Sequence, residues 1–240
     1  MTEPHGPLRD VKVVACSTAQ AGTVPYMLMA DLGAEVIKIE VPEVGDNSRG
    51  STVLPGLPST YFETNNRGVK SLTLNLKTAE GREILRKLVA TADIFGQNFR
   101  PGAAEKNGFG YEELRQVNPK LVYVSVSGYG PKGPHAGLPG TDSMAQALGG
   151  IAEAYSTPGQ PLKTGIVSVA DETCAILAFG GADLCSQHRH WPEGRLLIAR
   201  RPDQADGLDP DDSDVAQPQS GYRPGPRHRH AATPGAQRQL

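Results

Sequence analysis

An α/β fold, built on a mostly parallel sheet with helices on both faces, is what this sequence predicts. Two observations point to it. Short β-branched runs alternate with helix-length amphipathic stretches through the first 181 residues. Loops rich in Gly, Asn and basic residues follow several of the expected strands, at the edge where such sheets hold ligands.

Residues 11–15 (Val-Lys-Val-Val-Ala) predict a short buried strand, 24–32 a helix ended by Gly33, and 35–40 a second strand, together a βαβ unit. A strand is expected over 71–76. A helix follows over 78–92, with Ile84, Leu85, Leu88 and Val89 on one face. Ile94 and Phe95 re-enter the sheet, 111–117 forms a short helix, and 121–127 (Leu-Val-Tyr-Val-Ser-Val-Ser) is the clearest strand. Asp142 or Ser143 caps a helix running through Ala152. The sum is a Rossmann-like sheet.

Composition narrows the class of protein. The 240 residues suffice for one large domain or two small ones with a sizeable core. A net charge of −2 with both signs mixed leaves no basic nucleic-acid footprint. Cys16, Cys174 and Cys185 are odd in number and lack metal-ligand spacing, which fits a reduced cytoplasmic interior. No apolar run reaches the roughly 18–20 residues of a membrane span, and residues 1–7 do not form a secretory signal. A soluble cytoplasmic protein is expected, with no metal site, no membrane and no nucleic-acid partner.

The composition changes after residue 181. Residues 182–240 hold eight Arg and no Lys, seven Pro, four of the six His, one Val, one Ile and no Phe. That mixture predicts a disordered tail, including 200–212 and 223–230, without packed elements. His228 and His230 lack an ordered frame for a metal. The tail resembles GC-rich DNA translated out of frame, so a frameshift near residue 181 is expected, with 1–181 as the structured part.

Glu40 closes the second strand where a dinucleotide fold often places its ribose-binding acid. The turn after the first strand nevertheless reads Cys16-Ser-Thr-Ala-Gln-Ala-Gly22, without G-x-G-x-x-G, so a nicotinamide oxidoreductase is disfavoured. Walker, H-E-x-x-H and G-x-S-x-G motifs are missing too. The loops 65–71, 98–102 and 127–134 are rich in Gly, Asn and basic residues, and exposed Arg67, Lys70, Lys77, Arg100 and Lys106 in and around such glycine-bearing segments suit the phosphates of a long anionic ligand. Asp171 opens an apolar run within 164–181. By spacing it is either a helix N-cap or a reactive carboxylate able to form acyl intermediates.

A colinear series of motifs carries a family resemblance: 30–40 (Ala-Asp-Leu-Gly-Ala-Glu-Val-Ile-Lys-Ile-Glu), 66–71 (Asn-Arg-Gly-Val-Lys-Ser), 98–102 (Asn-Phe-Arg-Pro-Gly), Asn118-Pro119, 127–130 (Ser-Gly-Tyr-Gly), Gly133-Pro134, Gln146-Ala147 and Asp171. In these, residues 7–181 resemble the N-terminal part of the class III CoA-transferases of CaiB/BaiF type, which include formyl-CoA:oxalate CoA-transferase. The resemblance implies an acyl-CoA:carboxylate CoA-transferase with Asp171 as nucleophile and Gln20 in the active site. It implies CoA contacts at Ala21, Leu74, Asn75, Leu76, Lys77, Asn98, Phe99, Arg100 and Lys106. CoA and acyl-CoA are then substrates, a carboxylic acid is the acceptor, no cofactor is permanently bound, and the family forms interlocked homodimers.

Two positions depart from the formyl-CoA enzymes: Val41 replaces an Arg near the adenine, and Pro139 a CoA-contacting Lys. An α-methylacyl-CoA racemase is the alternative within the superfamily, although its Gly-His-Asp segment reads Gly140-Thr-Asp142 here, and Thr141 cannot exchange a proton near neutral pH. A further alternative is a CoA-binding fragment without turnover, because nothing after Gly181 resembles the rest of the family.

Overall fold

Alternate residues of the first strand, β1 (Lys12–Cys16), enter two different cores: Val13 and Ala15 on one face, Val14 and Cys16 on the other. A strand apolar on both sides belongs inside a sheet covered on both faces, and β1 lies there. The computed structural model describes residues 6–51, 55–165 and 167–187 and the backbone of 195–199, all within one unit spanning residues 1–204.

From β1 the chain runs through α1 (Ala19–Asp31), β2 (Glu35–Glu40), α2 (Thr60–Asn66), β3 (Lys70–Thr73), α3 (Ala79–Val89) and β4 (Ile94–Gln97). It continues through α4 (Ala103–Lys106), α5 (Tyr111–Val117), β5 (Val122–Ser127), α6 (Asp142–Leu148), α7 (Ile151–Ala154), α8 (Val169–Gln187) and β6 (Arg195–Ala199). The strand order is β3-β2-β1-β4-β5-β6 and every pairing is parallel. This is the expected Rossmann-like α/β sheet. Its order reverses between β1 and β4, so the loops leaving their carboxyl ends diverge and open a crevice there.

On one face, Ala21, Tyr26 and Met29 of α1 and Cys174, Ala178 and Ala182 of α8 pack on Val13, Ile94 and Val124. The small α8 residues recur every fourth position, which lets the helix lie close to its neighbours. On the other face, Leu85 and Val89 of α3 and Leu114 of α5 pack on Phe95 and Tyr123. Among the described residues no helix is long and apolar enough to cross a membrane.

Several boundaries differ from the sequence-based expectation. α1 starts at Ala19, not at 24, and keeps Pro25 inside the helix at the loss of one backbone bond. α2, capped by Ser59 through the Phe62 amide (3.2 Å), is an addition. β3 ends at Thr73, and after a last bond from the Leu74 amide to the Glu40 carbonyl (2.9 Å) residues 75–77 leave the sheet. Ile84 is 43% exposed, so the buried face of α3 rests on Leu85 and Val89. The helix expected to reach Ala152 breaks at Gly149-Gly150, where Gly150 takes φ +77°, and Thr141 caps its first segment.

The tail boundary also moves. α8 continues past residue 181 to Gln187, and 195–199 pairs in parallel with β5. The low Val, Ile and Phe content of the whole tail concealed the local run Leu196-Leu-Ile198, long enough for an edge strand. Residues 200–212 and 223–230, with His228 and His230, lie outside the described residues.

Candidate active site

Beyond the carboxyl ends of β1, β2 and β3 lies a cleft of about 180 Å³, walled by Ile39, Val41, Pro42, Leu74, Leu76, Phe99 and Phe109. Phe99 meets Phe109 edge to face at 5.5 Å between ring centres, and Phe109 in turn meets Phe95 of the core. The aromatic wall is thereby anchored to the sheet. Asn75 and Lys77 complete one side, while Ser17 and Thr18 form the start of the loop that leaves β1. Cys16 also lines this cleft, but burial pushes its thiol well above the ordinary range, so it stays protonated and is a poor nucleophile. A second cleft of about 280 Å³ shares Phe99 and is lined by Arg100, Gln97, Ser125, Ser127 and Glu105.

One rim of the first cleft rests on a buried ionic network that sequence reasoning missed. Lys38, inside β2, pairs with Asp46 and donates to Asn66 Oδ1 at 2.6 Å. Glu40 receives Arg49 Nε and Nη2, both at 2.7 Å, and the Asp46 amide at 2.9 Å. Arg49 stacks on Phe62, 3.8 Å from the ring centre. Burial pushes the Glu40 carboxyl up, but bonds from Arg49, Ser71 and the Asp46 amide outweigh it and hold the pKa at about 2. Burial alone would also raise Asp46; Lys38 and Ser48 pull it below the usual carboxylate range. Glu40 is therefore the fixed base of the loop over 41–50, not an unengaged ribose acceptor. The available signal was Lys38 flanked by Ile37 and Ile39, a charge inside a buried strand that demands a partner.

Asp171 is buried in the first turn of α8. The helix-capping bonds come from elsewhere: Asp142 Oδ1 accepts the amides of Ala170 (2.9 Å) and Asp171 (3.0 Å). Gln146 donates to Asp142 Oδ2 and to the Val167 carbonyl (3.1 Å) and accepts the Gly165 amide (2.7 Å), so α6 holds both the approach to α8 and its first turn. Gly128 and Gly140 make this possible, because a Cβ on Gly128 would lie 2.6 Å from the Gly140 Cα.

Gln20 stands in the first turn of α1, where its Nε2 donates to Glu172, the residue after Asp171. Its Oε1 accepts from Tyr61 Oη at 3.2 Å. Gln20 and the first turn of α8 are thus brought together across 152 residues of sequence. Thr18 lines the cleft two residues before Gln20, so one short segment joins the cleft to the surroundings of Asp171.

The expected CoA-contacting residues separate into groups. Leu74, Asn75, Leu76, Lys77 and Phe99 line the first cleft, and Arg100 lines the second. Lys106 is exposed on α4 beside Asn107, itself a cleft residue. Asn98 does something different: its amide accepts the Thr18 N–H (3.0 Å) and donates to the Thr18 carbonyl (2.7 Å), bridging the loops after β4 and β1 at the switch point. The Asn98 side chain also fills the space a Cβ would need at Gly22. Ala21 is fully buried, with its methyl in the core, so its side chain presents no surface to a ligand. Arg67 pairs with Asp31 and Lys70 with Glu35 (2.8 Å) near the amino end of β3, away from the cleft. Among the described residues no cluster of His, Cys, Asp and Glu could hold a metal ion.

Residues 8–190 match the model of CoA-transferase family III. The chain is 39% identical over 180 residues to acetyl-CoA:oxalate CoA-transferase of Acetobacter aceti, covering 75% of this chain and 46% of that protein. It is 40% identical over 173 residues to succinate–glutarate CoA-transferase of Agrobacterium fabrum, covering 69% and 43% respectively. A CaiB/BaiF family protein from Brucella suis superposes with a TM-score of 0.74 at 36% identity, covering 82% of this chain and 53% of that one. The chain thus spans about half the length of these relatives. With a family match over most of its length and the same fold in a solved relative, the chain belongs to CoA-transferase family III.

Proposed function

We propose that this chain performs acyl-CoA:carboxylate CoA transfer with Asp171 as nucleophile. The observation that carries this reading is the convergence on the first turn of α8: Asp171 is held there by Asp142, and Gln20 is drawn in through Glu172. The cleft lined by Leu74, Asn75, Leu76, Lys77 and Phe99 takes part of the CoA moiety, with Arg100 and Lys106 near its phosphates. The names of the relatives support CoA thioesters and carboxylic acids as substrates.

In the first step an Asp171 oxygen attacks the thioester carbon, the C–S bond breaks, and a mixed anhydride and CoA thiolate form. The thiolate then attacks the Asp171 carbonyl, releasing the donor acid and leaving an aspartyl-CoA thioester. The acceptor carboxylate attacks that thioester and expels the thiolate. The thiolate closes the cycle on the acceptor carbonyl, giving the new acyl-CoA and free Asp171. Gln20 donates to the oxyanions that develop in these steps.

Turnover in the 240-residue chain is slow in this reading. α8 leaves Ile176, Leu177 and Leu184 more than half exposed, so the helix bearing Asp171 is incompletely covered, and such anhydrides need shelter from water.

The test incubates purified chain with acetyl-CoA or succinyl-CoA and free oxalate or glutarate and separates the CoA esters. Slow appearance of the new ester, abolished in Asp171→Ala, is expected. Exchange undiminished in that variant refutes the nucleophile. Binding of CoA without exchange supports the non-catalytic alternative, and loss of an α-proton to solvent deuterium without transfer supports racemisation.

A further inference from the structure

Gln20 is held from three directions, and one of them has no assigned role. Its backbone follows Ala19, whose φ of +57° is strained for a residue with a side chain. Asn98 fixes the residue before that by gripping both backbone groups of Thr18. Its side chain is then caught between Tyr61 Oη and the Glu172 carboxylate.

We infer that Glu172 is a positioning residue that sets the orientation of the Gln20 carboxamide beside Asp171. An ionised carboxylate only accepts hydrogen bonds, so the group facing Glu172 has to be the Gln20 NH₂, and Gln20 Oε1 has to face Tyr61. One Nε2 proton is taken by Glu172. The second is left to donate to the acyl oxygen reacting at Asp171. Without Glu172, rotation by half a turn about the last side-chain bond exchanges NH₂ for C=O and presents an acceptor where an oxyanion forms.

Glu172 suits this task because it follows Asp171 on the same helix. Successive residues project about 100° apart, so the group that Glu172 holds stands at the flank of Asp171 at a separation set by helix geometry. The residue is half-buried and acidic beside a site for anionic intermediates, a placement that costs stability unless it is engaged as here.

The inference rests on the transfer reading, so its test has two arms. In the first, the side-chain amide of Gln20 is followed by ¹H–¹⁵N NMR in the full chain without substrate. One proton should exchange slowly and shift downfield, lose both properties in Glu172→Ala, and keep them only in part in Glu172→Gln, whose amide can donate as well as accept and so no longer dictates which end of Gln20 faces it. In the second arm, the rate of Asp171 acylation by acetyl-CoA should fall about 10-fold to 100-fold in Glu172→Ala with little change in half-saturating concentration. It should recover only in part in Glu172→Gln, because a carboxamide does not fix the Gln20 orientation, and fall no further when Glu172→Ala is added to Gln20→Ala. An amide signal indifferent to Glu172, or full additivity of the two losses, overturns the assignment. If no variant, wild type included, is acylated, the transfer reading fails while the amide signal still decides whether Glu172 orients Gln20.

Discussion

Arg49→Met removes both guanidinium bonds to Glu40 while keeping apolar contact with Phe62. The Glu40 side chain is only 3% exposed, so the carboxylate left behind cannot be rescued by water. Its pKa stands at about 2 against an ordinary 4.5, a difference that corresponds to about 3 kcal/mol of folding stability at neutral pH. The Asp46 amide and Ser71 supply part of that, and Arg49 is 42% exposed, so ~3 kcal/mol is the ceiling and about 2 kcal/mol the expected loss.

Because the folded pKa is depressed, the stability Glu40 contributes is fully present above its ordinary pKa and is lost as pH falls through about 2. Urea unfolding of wild type and variant at pH 7 and near pH 3 measures both effects, and the gap between them should shrink by about half at the lower pH. The loop over 41–50 contributes Val41, Pro42, Gly45 and Asp46 to the cleft, so CoA affinity should fall as well. A gap below about 0.5 kcal/mol at pH 7, or one unchanged near pH 3, refutes the role given to this pair.

Asp142→Ala leaves the Ala170 and Asp171 amides without their acceptor and should cost about 1–3 kcal/mol in urea unfolding, with Asp142→Asn nearer wild type. Asn98→Ala frees both backbone groups of Thr18 and should cost about 2 kcal/mol by the same measurement, while weakening CoA affinity through the loop and not through a lost ligand bond. Tyr26→Phe removes a buried hydroxyl with no hydrogen-bond partner among the described residues and should be neutral or stabilising by up to about 1 kcal/mol in thermal melts.

What the sequence made legible followed from local patterns. β5 stands out as Val122-Tyr-Val-Ser-Val-Ser127, and α5 is expected and found over the same residues, because the local patterning of each is strong enough to be read without knowing its distant partners. α1 begins five residues before the expected Val24, because tertiary contact with α8 and the Asn98 clamp on Thr18 hold the preceding turn in place. The CoA-contacting segment 74–77 and Asp171 came from ordered family motifs, and the cleft gathers the former. The support around Asp171 could not be read, since it joins residues 28, 29 and 152 positions apart with no periodic signature. Asn98 illustrates the same limit: the motif gives the residue, but only the fold shows its amide spent on Thr18.

The most direct measurement is the intact mass of the chain after mixing with acetyl-CoA and rapid quenching, followed by peptide mapping and borohydride reduction. The account predicts a covalent CoA adduct on the peptide containing Asp171, reduction of that one side chain to the alcohol, and no adduct in Asp171→Ala. An adduct on another residue, or the same adduct in the Asp171→Ala chain, would contradict it.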